Sequence, residues 1–180
     1  MTGVQTCALP IWTSRSADDI GNDAAAAVNA SMKPPGGIST LILPADTAWT
    51  QTASVADPLG GEVAPCVSDE VIEACAKVLK LNEPTMLVVG GKGLRADALA
   101  YVGAIARQRE VEVRAEFASA RTERGAGRVT IERVPYVVGQ ALEVTKQIRH
   151  VILIGANTQV AFFAYPDLPS LLIPEGCKVH

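Results

Sequence analysis

Aromatic residues make up only 4% of the 180 residues, which argues against a base-stacking surface for nucleic acid. Histidine is scarcer still, with His150 and His180 alone. The four cysteines, Cys7, Cys66, Cys75 and Cys177, stand far apart and form no C-x-x-C pair, so a zinc site is not supported. They read as reduced thiols of a cytoplasmic protein. No apolar run approaches the roughly 20 residues that span a bilayer. With 16 basic and 19 acidic residues, net charge −3, there is no field to recruit nucleic acid or an anionic membrane. What the chain does have is 48% hydrophobic and 19% charged residues, a globular composition for one domain, or one domain plus a piece of another.

The clearest pattern is Glu83 to Arg95, where Met86–Val89 is apolar on both faces and runs into Gly90-Gly91 and then a helix. A strand apolar on both faces belongs inside a parallel sheet covered by helices. Val151–Ile154 followed by Gly155 repeats the plan. Two such units predict an α/β domain with a doubly wound, mostly parallel sheet.

The first eleven residues, Met1 to Ile11, have neither a basic start nor an apolar core long enough for a signal peptide. The whole string resembles the translation of a widely used sequencing adapter, which places the native sequence from Trp12 onward. Ser16 to Met32 then reads as a helix capped by Ser16, with Ala17, Ile20, Ala24, Ala27, Val28 and Met32 on one stripe. Pro34 to Gly37 ends it, and Ile38 to Leu43 reads as a buried strand stopped by Pro44. Residues 50–67, rich in Ala, Pro, Gly, Thr and Asp, read as a linker.

From Ser68 the expected order is a helix to Lys80 burying Val71, Ile72, Cys75, Val78 and Leu79, the strand Thr85–Val89, a helix over 95–108, and an alternating strand over 111–117. A loop with Arg121, Arg124, Arg128 and Arg133 follows. Next come a helix over 136–148, the strand Val151–Ile154, a loop, and a short strand Ser170–Ile173. Leu87, Val89, Val113, Leu153 and Ile154 are expected in one buried sheet, with Leu41 and Leu43 in a separate layer.

Few residues carry chemistry by pattern. Gly90 and Gly91 with Lys92 and Gly93 offer backbone N–H groups and a helix N-terminus to a phosphate, yet the spacing is neither G-x-G-x-x-G nor a P-loop. The other reading is a glycine exit required by packing. The arginine loop either binds an anion or is neutralised by Glu123 and Glu132. Asp46 is a carboxylate beyond a strand end, or a cap. No G-x-S-x-G elbow exists, and no metal-ligating or catalytic residue is assigned. Phe162-Phe163-Ala-Tyr165 concentrates aromatics in one loop, as a contact surface or as packing under a neighbour.

In order and spacing, Thr40-Leu-Ile-Leu-Pro-Ala-Asp-Thr-Ala-Trp49, a linker, and a glycine-turn domain ending Phe162-Phe-Ala-Tyr-Pro-Asp-Leu-Pro-Ser-Leu-Leu-Ile-Pro-Glu-Gly176 resemble a thiamine-diphosphate-dependent enzyme. The similarity is to acetolactate synthase large-subunit-like proteins, including the benzoylformate-decarboxylase-like branch. The resemblance implies that residues 12–49 are the end of a pyrimidine-binding α/β domain, 50–67 a linker, and 68–180 a truncated central domain. It implies 2-keto acid chemistry in the full-length protein, with thiamine diphosphate, Mg²⁺, flanking domains and a homodimer or homotetramer. The family's activating glutamate lies upstream of Trp12 and its Gly-Asp-Gly metal motif downstream of His180, so the chain alone is expected to be inactive and to bind no thiamine diphosphate. Some members hold FAD or ADP at the glycine turns, where Gly90 and Gly91 sit, but the Asn157 to Phe163 loop departs from the acetolactate-synthase pattern and speaks against a flavin. A free-standing nucleotide-binding module and a structural domain are the competing readings.

Overall fold

The computed structural model describes residues 10–34, 36–53, 55–109 and 111–180, and the chain divides into two units, Met1–Cys66 and Val67–His180. Residues 1–9 of the adapter-like stretch lie outside the described residues. Ile11 is described. It opens β1 (Ile11–Thr13), with its side chain exposed while its backbone pairs with Thr40.

In the first unit β1 runs parallel to β2 (Thr40–Ile42), joined by α1 (Ile20–Met32), and the short α2 (Ala45–Trp49) follows. The helix starts later than Ser16 predicts. Ser16 Oγ instead donates to Asp19 Oδ2 at 2.8 Å, and Asp19 is the cap residue. Only part of the expected stripe is buried: Ala17 and Ala27 are, whereas Val28 and Met32 are more than half exposed along a groove shared with Val55 and Leu59. The strand is likewise shorter and more open than its apolar run suggests, with Leu43 outside it and exposed. The described residues of 50–66 carry no helix or strand and lie in this first unit, where Thr52 Oγ1 donates to Asp18 Oδ1 at 2.6 Å.

The second unit contains α3 (Asp69–Leu79), β3 (Thr85–Val89), α4 (Ala96–Arg109), β4 (Glu112–Ala115), β5 (Glu132–Arg133), α5 (Val138–Thr145), β6 (His150–Ile154) and β7 (Lys178–Val179). Its five strands are all parallel, in the order β5-β4-β3-β6-β7. This is a doubly wound sheet. The chain steps outward from β3 to β4 and β5, then returns to β6 on the other side of β3 and ends at β7. Every residue of β3 is buried, as its two apolar faces require.

Side chains alternate across the sheet. Leu87, Val89, Ala115 and Ile152 pack with Val78 of α3 and Leu99 and Val102 of α4, while Met86, Val88 and Val151 pack with Ile148, Ile173 and Cys177. Val138 and Ala141 of α5 form a third cluster with Val134 and Leu172. Leu41 lies in the separate two-stranded sheet. Leu87 and Val89 are fully buried, but Val113, Leu153 and Ile154 only partly.

Three expectations are corrected. The α3 stripe is buried only toward its C-terminal end, where Val78 meets the sheet, and Val71 and Ile72 are exposed. Ser170–Ile173 is no strand: Leu171 makes a lone antiparallel bridge to Val160 while Leu172 turns into the α5 cluster. Prolines at 169 and 174 limit the ladder donors there. The edge beside β6 is instead filled by Lys178–Val179, and the arginine loop ends in β5. Two-residue strands are too short to show a period, and the charged Glu132–Arg133 edge discourages further pairing.

Candidate functional site at the switch point of the sheet

Open parallel sheets bind ligands beyond the carboxyl ends of their strands, where the winding reverses. Here that point lies between β3 and β6. Gly90 leaves β3, followed by a one-turn 3₁₀ helix, Gly91–Leu94, that leads to α4. Gly155 leaves β6 with φ +60°.

Gly90 is buried and extended (φ −137°), so its backbone conformation is open to any residue. Its constraint is space. A Cβ at Gly90 would lie 2.6 Å from the Gly155 carbonyl oxygen and would collide with the Glu116 carboxylate. Gly91 differs, being exposed with φ +49°, the left-handed region that favours glycine. Glu116 follows β4 directly and reaches across the strand ends, where its Oε2 accepts from Asn157 N–H at 3.4 Å. The turn is thus closed over by an internal carboxylate and a carbonyl.

The start of α4 is also occupied. Glu123 Oε2 accepts from Ala96 N–H at 2.9 Å, its Oε1 accepts from Arg121 at 3.3 Å, and Arg128 Nε lies 3.9 Å from Oε2. Of the loop arginines, Arg121 and Arg128 are therefore engaged by Glu123. Glu132 pairs with Arg114 of β4, whose Nη1 is 2.5 Å from Oε2. The ion-paired reading of this loop holds for Arg121 and Arg128.

The remaining candidates lie elsewhere. Asp46 is exposed in the first turn of α2, in the other unit. His150, 4% exposed, begins β6 at the opposite end of the strands from Gly155, with Nε2 3.1 Å from Glu83 and Nδ1 3.1 Å from His180. Desolvation, then His150 and Lys178, holds the His180 imidazole below its ordinary pKa. Burial raises the Cys177 thiol, and Cys75 packs against the core as a small apolar residue. Phe117, Tyr136, Phe162, Phe163 and Tyr165 form a chain of tilted and edge-on ring contacts, 4.6–6.1 Å between centroids, with Phe162 and Phe163 largely exposed. Among the described residues no set of three or more His, Cys, Asp or Glu side chains converges as a metal site.

Sequence reasoning missed Glu116 and Glu123 as the groups that define this place. Glu116 had a usable signal, a carboxylate immediately after the strand that neighbours the glycine-turn strand. Glu123 was visible as an ion-pair partner of the arginine loop, but its place at Ala96 had no signal, since only the fold brings the two together.

No protein-family model matches the chain. It is 37% identical over 171 residues to a Mycobacterium tuberculosis protein named as acetolactate synthase large subunit IlvX, covering 94% of this chain and 33% of that protein. The fold is shared with benzoylformate decarboxylase from Polynucleobacter necessarius (TM-score 0.58, 21% identity) and with the thiamine diphosphate-dependent 4-hydroxybenzoylformate decarboxylase of Rhodococcus jostii RHA1 (TM-score 0.61, 19% identity). Each of these alignments covers 93% of this chain and 32% of the other. The chain spans about a third of the length of the relatives it matches. The sequence similarity to that acetolactate synthase-named protein thus extends along nearly the whole of this chain.

Proposed function

We propose that this chain is a portion of a thiamine-diphosphate-dependent enzyme acting on 2-keto acids, by carboligation or decarboxylation, and that it supplies the end of the pyrimidine-binding domain and the central domain. The observation that carries this reading is the co-linear 37% identity to the acetolactate synthase large-subunit relative over 94% of the chain. In such an enzyme the cofactor supplies carbanion stabilisation. The residues of this chain hold the scaffold. The β3 and β6 ladders and the α3–α4 layer build a rigid central unit, and the exposed ring cluster of Phe162, Phe163 and Tyr165 offers an apolar surface to neighbouring domains.

The active protein would be a cytoplasmic homodimer or homotetramer using Mg²⁺. The chain by itself is inactive, because a diphosphate–metal seat needs carboxylate and carbonyl ligands that its sequence does not bring in a Gly-Asp-Gly motif. The test is a calorimetric titration of the purified chain with thiamine diphosphate and Mg²⁺, alongside turnover assays with pyruvate and benzoylformate. No heat of binding and no turnover are expected. Saturable micromolar cofactor binding would overturn the proposal.

A further inference from the structure

A doubly wound sheet that takes a nucleotide does so with two features: a glycine exit that lets the backbone approach the pyrophosphate, and a free helix N-terminus that donates to it. Both features are present in the second unit, and both are already filled from within. At the glycine exit, the open side of Gly90 faces the Gly155 carbonyl oxygen and the Glu116 carboxylate, so a phosphate approaching there meets acceptors instead of donors. At the helix, the first N–H of α4 already donates to Glu123 Oε2 at 2.9 Å. The loop that carries Glu123 is docked as well, since Glu123 N–H donates to Leu94 O at 3.1 Å.

We propose that two carboxylates of the connection from β4 to β5, Glu123 and Glu116, act as an internal anion standing where a ligand's phosphates would stand, so that the unit takes neither ADP nor FAD at Gly90–Gly91. The carboxylates then do a ligand's structural work. Glu123 ties the loop to the start of α4, and Glu116 spans the ends of β3, β4 and β6. The donors at hand exceed what one carboxylate satisfies: Arg121 and Arg128 flank Glu123, and Arg95 Nη1 and Thr122 Oγ1, on the adjoining residues, are buried with no hydrogen-bond partner among the described residues. Removing Glu123 therefore leaves Ala96 N–H, Arg121 and Arg128 without their carboxylate, a set of donors that inorganic pyrophosphate can answer. This inference rests on the geometry of the second unit and is independent of the thiamine reading.

The experiment compares melting midpoints of the full chain, wild type against Glu123→Ala and Glu116→Ala, in titrations with inorganic pyrophosphate, ADP and FAD. The wild-type midpoint is expected to be unmoved by all three. Glu123→Ala should melt lower in buffer and recover saturably with pyrophosphate, and Glu116→Ala should melt lower in buffer. Should Glu123→Ala not fold, Glu123→Ser carries the same comparison, since it likewise empties the place of the carboxylate. Saturable stabilisation of the wild type by ADP or FAD would overturn the proposal, more so if Glu116→Ala abolished it, because Glu116 would then be a ribose ligand. Indifference of the Glu123 variant to pyrophosphate would overturn it equally, because the carboxylate would not be what fills the seat.

Discussion

Replacing Gly90 with alanine separates a glycine kept for packing from one kept for backbone freedom. Its φ of −137° suits alanine, so the whole cost is steric. The added methyl meets a backbone carbonyl oxygen at 2.6 Å, and that carbonyl belongs to Gly155, itself held beside Gly90. The Glu116 side chain can swing away, but the carbonyl cannot. Overpacking of this kind costs about 1–3 kcal/mol, and the rigid neighbour puts Gly90→Ala near the top of that range. For a unit of roughly 110 residues this lowers the midpoint by about 6–15 °C. Gly91→Ala is a different test, because φ is +49° and the nearest atom is 3.3 Å away, so about 1–2 kcal/mol of left-handed strain is expected. Gly139→Ala in α5 meets nothing within 4 Å and should gain up to about 1 kcal/mol of helix propensity. Trp12 and Trp49 both lie in the first unit, whereas all three tyrosines, Tyr101, Tyr136 and Tyr165, lie in the second. Tyrosine absorbance therefore reports the relevant transition. Gly90→Ala melting with the wild type, while Gly91→Ala melts lower, would refute the close-approach argument.

Leu99 is fully buried between α4 and the sheet, so Leu99→Ala should cost about 2–5 kcal/mol in urea unfolding followed by tyrosine absorbance. His180 has a depressed pKa in the folded chain, so the stability it contributes is full above its ordinary value of 6.5 and is lost as pH falls through 6.5 toward the lower folded value. Faster hydrogen exchange at the Leu153 amide, which donates to His180 O at 2.8 Å, should accompany that fall, and His180→Gln should flatten the pH dependence. Serine at Phe162 and Phe163, which are 60% and 53% exposed, should leave the midpoint within about 1 kcal/mol of wild type. The same pair of changes should reduce self-association in light scattering, because it breaks up an exposed apolar patch.

What could be read directly from the sequence was whatever is local. Met86–Val89 and Val151–Ile154 announce a covered parallel sheet because both faces of each are apolar, and the glycines after them announce sharp exits. The stripe Leu99, Val102, Ile105 places α4. What could not be read depends on partners distant in sequence. Lys178–Val179 is a strand only because β6 has a free edge, and Val28 stays exposed along a groove whose other lining, Thr52, Val55, Pro58 and Leu59, comes from a stretch distant in sequence. Glu123 acts as a cap for a helix that begins 27 residues earlier, at Ala96. The candidate site was therefore half legible: its glycines and the pairing of Glu123 with the loop arginines were visible, whereas the contacts by which Glu116 and Glu123 close it were not.

The position of β3 at the centre of the sheet also sets a schedule for folding. Its first neighbour, β4, is close in the chain, with Met86 opposite Glu112, but its second neighbour arrives late, with Thr85 opposite His150, 65 residues on. At ribosomal rates of about 5–20 residues per second, the Thr-Met-Leu-Val-Val edge waits roughly 3–13 s for its partner. During that interval a five-residue strand, apolar at four positions and without a charge, has one row of backbone groups unpaired, the feature that recruits other chains. Synthesis at low temperature, which slows elongation, would lengthen that exposure, whereas a chaperone that holds extended apolar segments would cover the same edge until β6 closes it.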